Sequence, residues 1–228
     1  AILPSDLPEA PPVGLAGEEL RGVRSAMAEA MAKSHASVVP ATMTDTANIG
    51  AWNAQESPMV RLVHAVATAV AVEPGLNAWF DGRRLTIHSH LDLAIAVDTE
   101  YGLFAPVLRN ASEGADIEQR ILELRERVAE RTIARDDMKN GTFTLSNFGM
   151  LGGEFASLVI TSPQVAILGA GRIAESCLAI KGEPMVRKVI PLSLTFDHRV
   201  VTGGEAARFM NAVRNDLEQA TVEGESTS

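Results

Sequence analysis

The feature that most constrains this chain is the stretch Pro191–Gly204, which reads PLSLTFDHRVVTGG. Large apolar residues alternate with Ser and Thr over positions 192–196, the period-two pattern of a half-buried strand. The strand ends at Asp197, His198 and Arg199, and a Gly pair then opens a helix. An imidazole at the end of a buried strand is held rigidly and partly desolvated, which suits a general base near neutral pH. A histidine that only caps a strand is the alternative interpretation.

Length and composition favour a single domain. The chain has 228 residues, 46% of them hydrophobic, enough for one large α/β domain with a buried core. No apolar run is long enough to cross a bilayer, and the uncharged stretch 62–72 is typical of a buried helix. There is no signal peptide, and because the chain starts with Ala we expect an upstream part to be missing. The single cysteine, Cys177, fits a reducing compartment. Abundant Ala and an excess of Arg over Lys suggest a GC-rich bacterial source, and a cytoplasmic location is expected.

The net charge of −9 comes from the two ends of the chain. Acidic residues precede the first basic residue, Arg21, and follow the last one, Arg214, whereas acids and bases nearly balance in between. No basic stripe with interleaved aromatic residues occurs, so a nucleic-acid partner is not expected. Residues 1–19 are rich in Pro and predict a linker or extended arm, and 20–220 predict the globular domain. The acidic tail 221–228 is predicted to be disordered.

Periodic apolar patterns place helices and strands along the domain. His64 lies inside a helix that is apolar nearly all round, so we expect a core histidine there. His88 and His90 have no third histidine or cysteine beside them, so no metal site is predicted. The predicted helices are a segment ending near His35, 58–73, 116–133 and a closing segment after His198, and the predicted strands are 42–49, 84–88, 91–97, 142–146 and 192–196.

A second motif, GTFTLSNFGMLGGEF, covers residues 141–155. Its first part alternates like a strand up to Ser146, and Asn147 then begins a turn. The glycines that follow allow close approach of the backbone. On its own, a Ser-Asn-x-Gly turn is typical of an ordinary structural turn. The GAG at 169–171 is not a dinucleotide fingerprint, because the third Gly and the following helix pattern are absent.

Together, these two stretches resemble the dihydrolipoamide acyltransferases, the core subunits of 2-oxo acid dehydrogenase complexes. The stretch 191–204 resembles the HxxxDG signature that this family shares with chloramphenicol acetyltransferase and peptide-synthetase condensation domains, and the form DHRVV at 197–201 points to the acyltransferases among them. FTLSNFG at 143–149 resembles the family's FTxSNxG, and weaker similarities extend the resemblance over about residues 20–218. Thr202 departs from the family pattern, which has Asp there. Only a short loop around Trp52 stands where the family usually has another helix.

The resemblance implies a chloramphenicol acetyltransferase-like α/β fold, a two-layer sandwich of a mixed β-sheet with helices packed on one face. It also implies acyl transfer between the thiol of dihydrolipoamide and that of coenzyme A. His198 is then the general base toward the attacking thiol, and Ser146 donates a hydrogen bond to the thioester oxygen, so no covalent enzyme intermediate is required. The residues expected to support these two are Asn147, Arg199, Thr202 and Gly203.

The resemblance further implies a homotrimer in which one subunit provides the histidine and its neighbour provides the serine. Coenzyme A is a substrate in this family, and the lipoyl group is carried on a separate lipoyl domain. Neither group is assigned to particular residues of this sequence. The decarboxylase and the dihydrolipoamide dehydrogenase of the complex are the other expected partners, and neither a metal nor a membrane is expected.

Several points stay open at the level of sequence. A structural core subunit with weakened catalysis is one alternative, because Thr202 can keep one hydrogen bond of the family's Asp but not its charge. A chloramphenicol acetyltransferase-like enzyme would share the fold and His198, although the FTLSNFG and DHR forms argue against it. The acyl group is not determined, but LGGEFASLVI at 151–160 resembles the pyruvate and branched-chain members of the family slightly more than the 2-oxoglutarate members. The tail lacks a large apolar anchor, so a free trimer is expected rather than a cube or dodecahedron.

Overall fold

The computed structural model describes residues 17, 19–113 and 116–220. Most of the predicted linker 1–19 and the whole predicted tail 221–228 therefore lie outside the described residues. The helices are α1 (Gly22–Ser37), α2 (Pro58–Val72), α3 (Ile117–Ala129) and α4 (Gly203–Leu217). The strands are β1 (Pro40–Asn48), β2 (Ala78–Phe80), β3 (Leu85–Ile87), β4 (Leu93–Thr99), β5 (Gly102–Phe104), β6 (Val107–Leu108), β7 (Phe143–Asn147), β8 (Ala166–Ala170), β9 (Ala174–Ile180) and β10 (Glu183–Asp197).

A mixed sheet of eight strands forms one layer of the fold. Its main strand order is β1-β10-β8-β7-β4-β5, with β6 paired to β4 and β9 paired to β10. The pairs β4–β7 and β7–β8 are parallel, and the other pairs of this sheet are antiparallel. Strands β2 and β3 form a separate small hairpin. The predicted mixed sheet is therefore confirmed.

Helices α2, α3 and α4 form the second layer, on the face of the sheet that carries the large apolar side chains of β10. Leu192, Leu194 and Phe196 are all buried on this face, as their alternation in the sequence predicts. Phe209 of α4 stacks on Phe143 of β7 with ring centroids 5.4 Å apart. The two-layer α/β architecture with helices on one face is confirmed.

The opposite face of β10 carries hydroxyl side chains that hold an irregular segment, 155–161, against the sheet. Ser193 Oγ accepts a hydrogen bond from the amide of Ala156 at 3.1 Å. Thr195 Oγ1 accepts one from the amide of Leu158 at 3.2 Å. Both hydroxyls are buried, and leaving them or the two amides without a hydrogen bond would cost free energy of folding. The hydroxyl residues that alternate with the apolar ones in β10 thus hold segment 155–161, which follows the Ser-Asn turn.

The glycines of the second motif and of the GAG bring backbone segments into direct contact. A Cβ at Gly149 would lie 2.4 Å from the carbonyl oxygen of Gly171, and one at Gly171 would lie 2.0 Å from the carbonyl oxygen of Glu154. No side chain fits at such distances, so both positions need glycine for packing. The close approach predicted for the glycines after Asn147 is confirmed at Gly149.

Strand β10 and helix α2 differ from the sequence predictions, and α3 ends at Ala129 instead of near residue 133. The strand predicted over 192–196 begins at Glu183, because a two-residue turn at Lys181 and Gly182, with φ of 52° and 87°, joins β9 and β10 into a long hairpin. Much of this hairpin is exposed, so it lacks the apolar pattern that marks buried strands. The prediction of a core histidine at position 64 is wrong, because α2 turns His64 and Thr68 toward solvent.

The short loop around Trp52 closes the end of α4. Trp52 Nε1 donates to the carbonyl oxygen of Leu217 at 2.6 Å, and Arg61 Nη2 donates to that of Asp216 at 2.8 Å. These bonds satisfy carbonyls at the C-terminus of a helix, which have no partner within it. The expected absence of a helix between β1 and α2 is confirmed. In the part of the chain that the structure describes, no helix is both long and apolar enough to span a bilayer.

Candidate active site

His198 lies immediately after the last residue of β10. Its backbone amide donates to the carbonyl oxygen of Val39 at 2.8 Å, which fixes the position of the residue. The imidazole lies beside the ring of Phe196, with centroids 5.5 Å apart. The side chain is exposed in the isolated chain, so the expected partial desolvation is wrong for one subunit alone. Both ring nitrogens lack a hydrogen-bond partner among the described residues, which leaves them available to a substrate.

Asp197 and Arg199 form a clamp on either side of His198. The buried Asp197 carboxylate accepts two bonds from Arg199 Nε, at 2.9 and 3.2 Å, and one from Nη2 at 2.5 Å. It also accepts from the amide of Val39 at 3.3 Å, and Arg199 Nη2 donates to the carbonyl of Ser37. The clamp therefore joins the end of β10 to the junction of α1 and β1.

Ionisation of Asp197 follows from these contacts. Burial is the largest single influence and opposes the charged form, but the side chain and amide of Arg199 and the amide of Val39 together outweigh it and lower the pKa. The same ion pair raises the pKa of Arg199. Asp197 is thus ionised at neutral pH, and hydrogen bonds hold its carboxylate in place.

Ser146 lies near the end of β7, between two strands with small side chains. Its register partners are Ala96 on β4 and Gly169 on β8, and the side chains of Leu158 and Phe148 pack over Gly169. The residue is half-buried, and its hydroxyl makes no hydrogen bond to another described residue. A hydroxyl with this freedom can donate to a ligand oxygen.

Asn147 and Gly149 shape the turn that follows Ser146. Asn147 Oδ1 accepts from the amide of Gly149 at 3.3 Å, an ordinary side-chain-to-backbone turn bond. The amide of Phe148 donates to the carbonyl of Ala170 at 3.1 Å, which ties the turn to β8. Asn147 therefore stabilises the turn next to Ser146, and its role as a supporting residue stays a prediction.

Thr202 is the N-cap of α4. Its Oγ1 accepts from the amide of Glu205 at 3.3 Å, while the Glu205 carboxylate accepts from the amide of Thr202 at 2.7 Å, a reciprocal capping box. These backbone and side-chain bonds from Thr202 lower the pKa of Glu205. A Cβ at Gly203 would meet no atom within 4 Å, so its packing does not require glycine. Thr202 therefore fixes the start of α4, four residues after His198, and its role in supporting His198 stays a prediction.

The two predicted catalytic residues are far apart within one chain. Ser146 is level with Gly169 of β8, which is level with Ser193 of β10. His198 comes five residues after Ser193, and β10 lies two strands away from β7, which carries Ser146. At about 3.3 Å per residue and 4.8 Å per strand, their Cα atoms are separated by about 19 Å. The structure therefore does not bring them together in one subunit.

Other candidate groups do not form a site in the described part of the chain. His88 packs edge-on against Trp79 and His90, at 4.5 and 5.6 Å, and burial chiefly lowers its pKa, with a smaller effect from His90. No group of three or more His, Cys, Asp or Glu side chains arranged to hold a metal occurs among the described residues. Cys177 is exposed on β9.

Sequence reasoning missed three contacts around the clamp. Val39 and Ser37 contribute backbone atoms only, which leave no mark in the sequence. Phe80 lies under the guanidinium of Arg199, 4.8 Å from ring centroid to Cζ. Phe80 lies in the stretch 74–82, PGLNAWFDG, and nothing in that stretch connects the ring with Arg199.

Comparison with known proteins identifies the family. The model of the 2-oxoacid dehydrogenases acyltransferase (catalytic domain) family matches residues 15–222. The chain belongs to this family. The acyltransferase domain is similar over 221 residues, at 32% identity, to the acetyltransferase component of the pyruvate dehydrogenase complex of Mycoplasma capricolum, covering 89% of this chain and 50% of that protein.

A second relative is the succinyltransferase component of the 2-oxoglutarate dehydrogenase complex of Pseudomonas aeruginosa. It is 37% identical over 158 residues, which cover 68% of this chain and 39% of that protein. The chain thus spans half or less of the length of both relatives. Because pyruvate and 2-oxoglutarate components both match, the expected preference for the pyruvate or branched-chain type is not confirmed.

Solved structures agree with the family. A probable dihydrolipoamide acetyltransferase of Listeria monocytogenes superposes with a TM-score of 0.88 at 26% identity, covering 95% of this chain and all of that one. The Azotobacter vinelandii dihydrolipoamide acetyltransferase, in a study of the catalytic role of a serine, a histidine and an asparagine, gives 0.83 at 26% identity, with 93% and 98% covered. Chloramphenicol acetyltransferase shares the fold alone, with a TM-score of 0.53 at 17% identity and coverages of 83% and 94%.

The clamp predicts a pH-dependent loss of stability in Asp197→Asn. At pH 7 this variant should lose roughly 1.5–3 kcal/mol of unfolding free energy, the usual contribution of a hydrogen bond to a charged group. The folded-state pKa of Asp197 is lowered. Its contribution is therefore present above the unfolded-state value of about 3.9 and is lost as the pH falls through the folded-state value. Urea unfolding of the variant and of the wild type at pH 7 and at about pH 3 measures the difference in unfolding free energy at each pH. Asp136→Asn, at an exposed surface pair, is the control and should change little. An equal deficit at both pH values would contradict the prediction.

Proposed function

We propose that this chain transfers an acyl group between dihydrolipoamide and coenzyme A, with His198 as general base and Ser146 as hydrogen-bond donor. One observation carries the assignment: both residues are placed by ordered backbone, and neither side chain has a hydrogen-bond partner among the described residues. The A. vinelandii protein supports it, because its serine and histidine are 52 positions apart, as are Ser146 and His198. Its asparagine follows the histidine by four positions, where this chain has Thr202.

His198 would act on the attacking thiol. A thiol with a pKa of about 8.5 is mostly protonated at neutral pH, so a base must remove its proton as it attacks. An imidazole nitrogen takes this proton while the sulfur bonds to the thioester carbon. When the tetrahedral intermediate collapses, the imidazolium returns the proton to the sulfur of the leaving thiol, and the carbonyl is restored. The reaction is thus balanced without a covalent enzyme intermediate.

Ser146 would stabilise the intermediate. Attack on the thioester places negative charge on its carbonyl oxygen, and a donor already in position is worth more there than in the ground state. The hydroxyl of Ser146 makes no hydrogen bond to another described residue, and β7 holds it between Ala96 and Gly169 of the neighbouring strands. We therefore assign it as a donor to the oxyanion and not as a nucleophile, since no base hydrogen-bonds to it among the residues that the structure describes.

The distance between the two residues supports an active site made by two subunits. A separation of about 19 Å is far beyond hydrogen-bond reach, so Ser146 and His198 of one chain cannot both contact the same thioester. Apolar side chains lie exposed near both residues: Met150 and Leu151 follow Ser146, with exposures of 92% and 72%, and Val39 lies beside His198 with 54%. A second copy that covers them would also desolvate the imidazole. We propose the homotrimer expected from the sequence as this assembly.

Further components would complete the function. We propose that the acyl group arrives on a lipoyl group carried by a separate lipoyl domain. A decarboxylase and a dihydrolipoamide dehydrogenase would be the other partners, because the matching relatives are components of such complexes. A cytoplasmic location in a bacterium stays a prediction from the sequence.

The acyl group is a finer proposal. The segment LGGEFASLVI at 151–160 supports an acetyl or branched-chain acyl group. Rates with acetyl-, succinyl- and branched-chain acyl-coenzyme A under identical conditions test it. A higher kcat/KM for the succinyl substrate would overturn this choice without affecting the proposed catalytic residues.

Replacing the catalytic residues should separate the roles. We expect His198→Ala to lower the acyl-transfer rate by roughly two to four orders of magnitude. Ser146→Ala should cost about two to three orders through loss of an oxyanion donor. Thr202→Ala should lose about tenfold or less, the effect of one neutral hydrogen bond. The measurement is the steady-state rate with acyl-coenzyme A and dihydrolipoamide, with coenzyme A binding as a control that should change little.

The alternatives have distinct outcomes in the same assay. A structural core with weakened catalysis would show a low wild-type rate that His198→Ala does not reduce further. A chloramphenicol acetyltransferase-like enzyme would acylate chloramphenicol faster than dihydrolipoamide. A loss in Thr202→Ala as large as that in His198→Ala would show that Thr202 takes part in the chemistry and that its assignment as a helix cap is incomplete.

The assembly can be tested with the exposed apolar surface. We expect three chains of 24.3 kDa to form a particle of about 73 kDa, measured by light scattering behind a sizing column. Met150→Glu should shift the protein toward the monomer, because a charge would be buried in the contact. Val72→Glu, at an exposed apolar residue on α2, is the control and should leave the size unchanged. A wild-type particle of 24 or more subunits would contradict the free trimer, and a monomer would contradict the shared site.

A further inference from the structure

The ring of Phe80 supports the guanidinium of Arg199. The Cζ atom of Arg199 lies 4.8 Å from the centre of this ring. Phe80 is the last residue of β2, is half-buried, and packs against the edge of the main core. It is distant in sequence from both catalytic motifs, and the proposed reaction gives it no role. Its position beneath the clamp that flanks His198 therefore needs an explanation.

Several hydrogen bonds fix this ring in place. The amide of Phe80 donates to the carbonyl oxygen of Pro163 at 2.8 Å, just before β8 begins. The neighbouring Trp79 donates from Nε1 to the carbonyl oxygen of Gly141 at 2.9 Å. Fully buried Asn77 donates to the carbonyl oxygens of His88 and His90, at 3.1 and 2.8 Å, and so closes the hairpin of β2 and β3. The ring is thus presented by a small hairpin that is anchored on the main sheet.

A ring in this position suits the bonds that Arg199 makes. A guanidinium donates hydrogen bonds in its own plane, while an aromatic ring attracts it through its face. Stacking on Phe80 therefore leaves the edges of Arg199 free for the Asp197 carboxylate and for the carbonyl of Ser37. It also removes water from one face of a side chain that is 35% exposed, which strengthens the ion pair.

We propose that Phe80 is a positioning residue for catalysis: its ring fixes Arg199, and the clamp of Arg199 on Asp197 fixes the backbone that carries His198. This inference rests on the proposed role of His198 as general base. The clamp brackets His198, since the amide of Arg199 also donates to Asp197 Oδ1 at 3.2 Å and the amide of Val200 donates to the carbonyl of Asp197 at 3.1 Å.

Such a role predicts a specific kinetic effect. A small displacement of a general base weakens proton transfer in the transition state, whereas substrates bind through other contacts. Loss of the ring should therefore lower kcat and leave KM for both thiol substrates nearly unchanged. A merely structural role for Phe80 would instead reduce the amount of folded protein and leave kcat per active site unaltered.

The test compares substitutions that separate ring electrostatics from volume. Phe80→Leu keeps an apolar side chain of similar size but has no aromatic face, and we expect kcat to fall roughly five- to tenfold with KM within twofold. Phe80→Trp and Phe80→Tyr keep an aromatic face and should stay within about threefold of wild type. The matched control is Phe104→Leu on β5, a half-buried phenylalanine with no cation over its ring in the described part of the chain, whose kcat should not change. Thermal unfolding of each variant confirms that it is folded.

A second arm links the effect to Arg199. In the background of Arg199→Met, which removes the cation, Phe80→Leu should cost less than twofold, because there is no guanidinium left to position. An equal loss of kcat in both backgrounds, or a wild-type kcat for Phe80→Leu, would overturn the inference. Near-normal activity of His198→Ala would instead overturn the proposed function. The two failures are thus distinguished by which variant is active.

Discussion

The buried carboxylate of Asp197 joins three parts of the fold where the longest strand of the sheet ends. It binds Arg199 two residues later and the amide of Val39 at the start of β1, and Arg199 in turn reaches the end of α1 through Ser37. A buried charge is tolerated only when its hydrogen bonds are satisfied, so these elements must come together whenever the chain folds. His198 lies between the two charged residues and takes its position from them.

The sheet sets the second constraint. Ser146 and His198 are each rigid, yet the register of β7, β8 and β10 keeps them about 19 Å apart, on strands two positions removed from each other. Rigid elements cannot close such a gap by side-chain motion. The strand order and register that position Ser146 and His198 therefore also keep them too far apart to act together within one chain. Exposed apolar side chains next to both halves provide the surface that a second copy would cover.

Features that depend on burial were predictable from the sequence. The alternation around Leu194 identified the central strand, and the amphipathic pattern after His198 identified α4, because both elements have one face in the core. Features that depend on tertiary position were not predictable. The face of α2 that bears His64 looked apolar in the sequence, and only the packing shows that it meets solvent.

The candidate site shows the same division. DHR and Ser-Asn-x-Gly were visible as motifs, but the sequence alone gave no distance between Ser146 and His198. Thr202 in place of the family's Asp left weakened catalysis open as an alternative, and the structure shows that this threonine forms a capping box at the start of α4. Backbone partners such as the carbonyl of Val39 have no sequence signature at all.

A mixed assembly of two inactive variants tests the shared site most directly. His198→Ala and Ser146→Ala chains, co-expressed in equal amounts, would combine at random, and about a quarter of the sites would then pair an intact histidine with an intact serine from a neighbour. The shared site predicts recovery of roughly a quarter of the wild-type rate, from two proteins that are each nearly inactive alone. A mixture no more active than the separate variants would show that both residues act within one chain, and it would contradict the account.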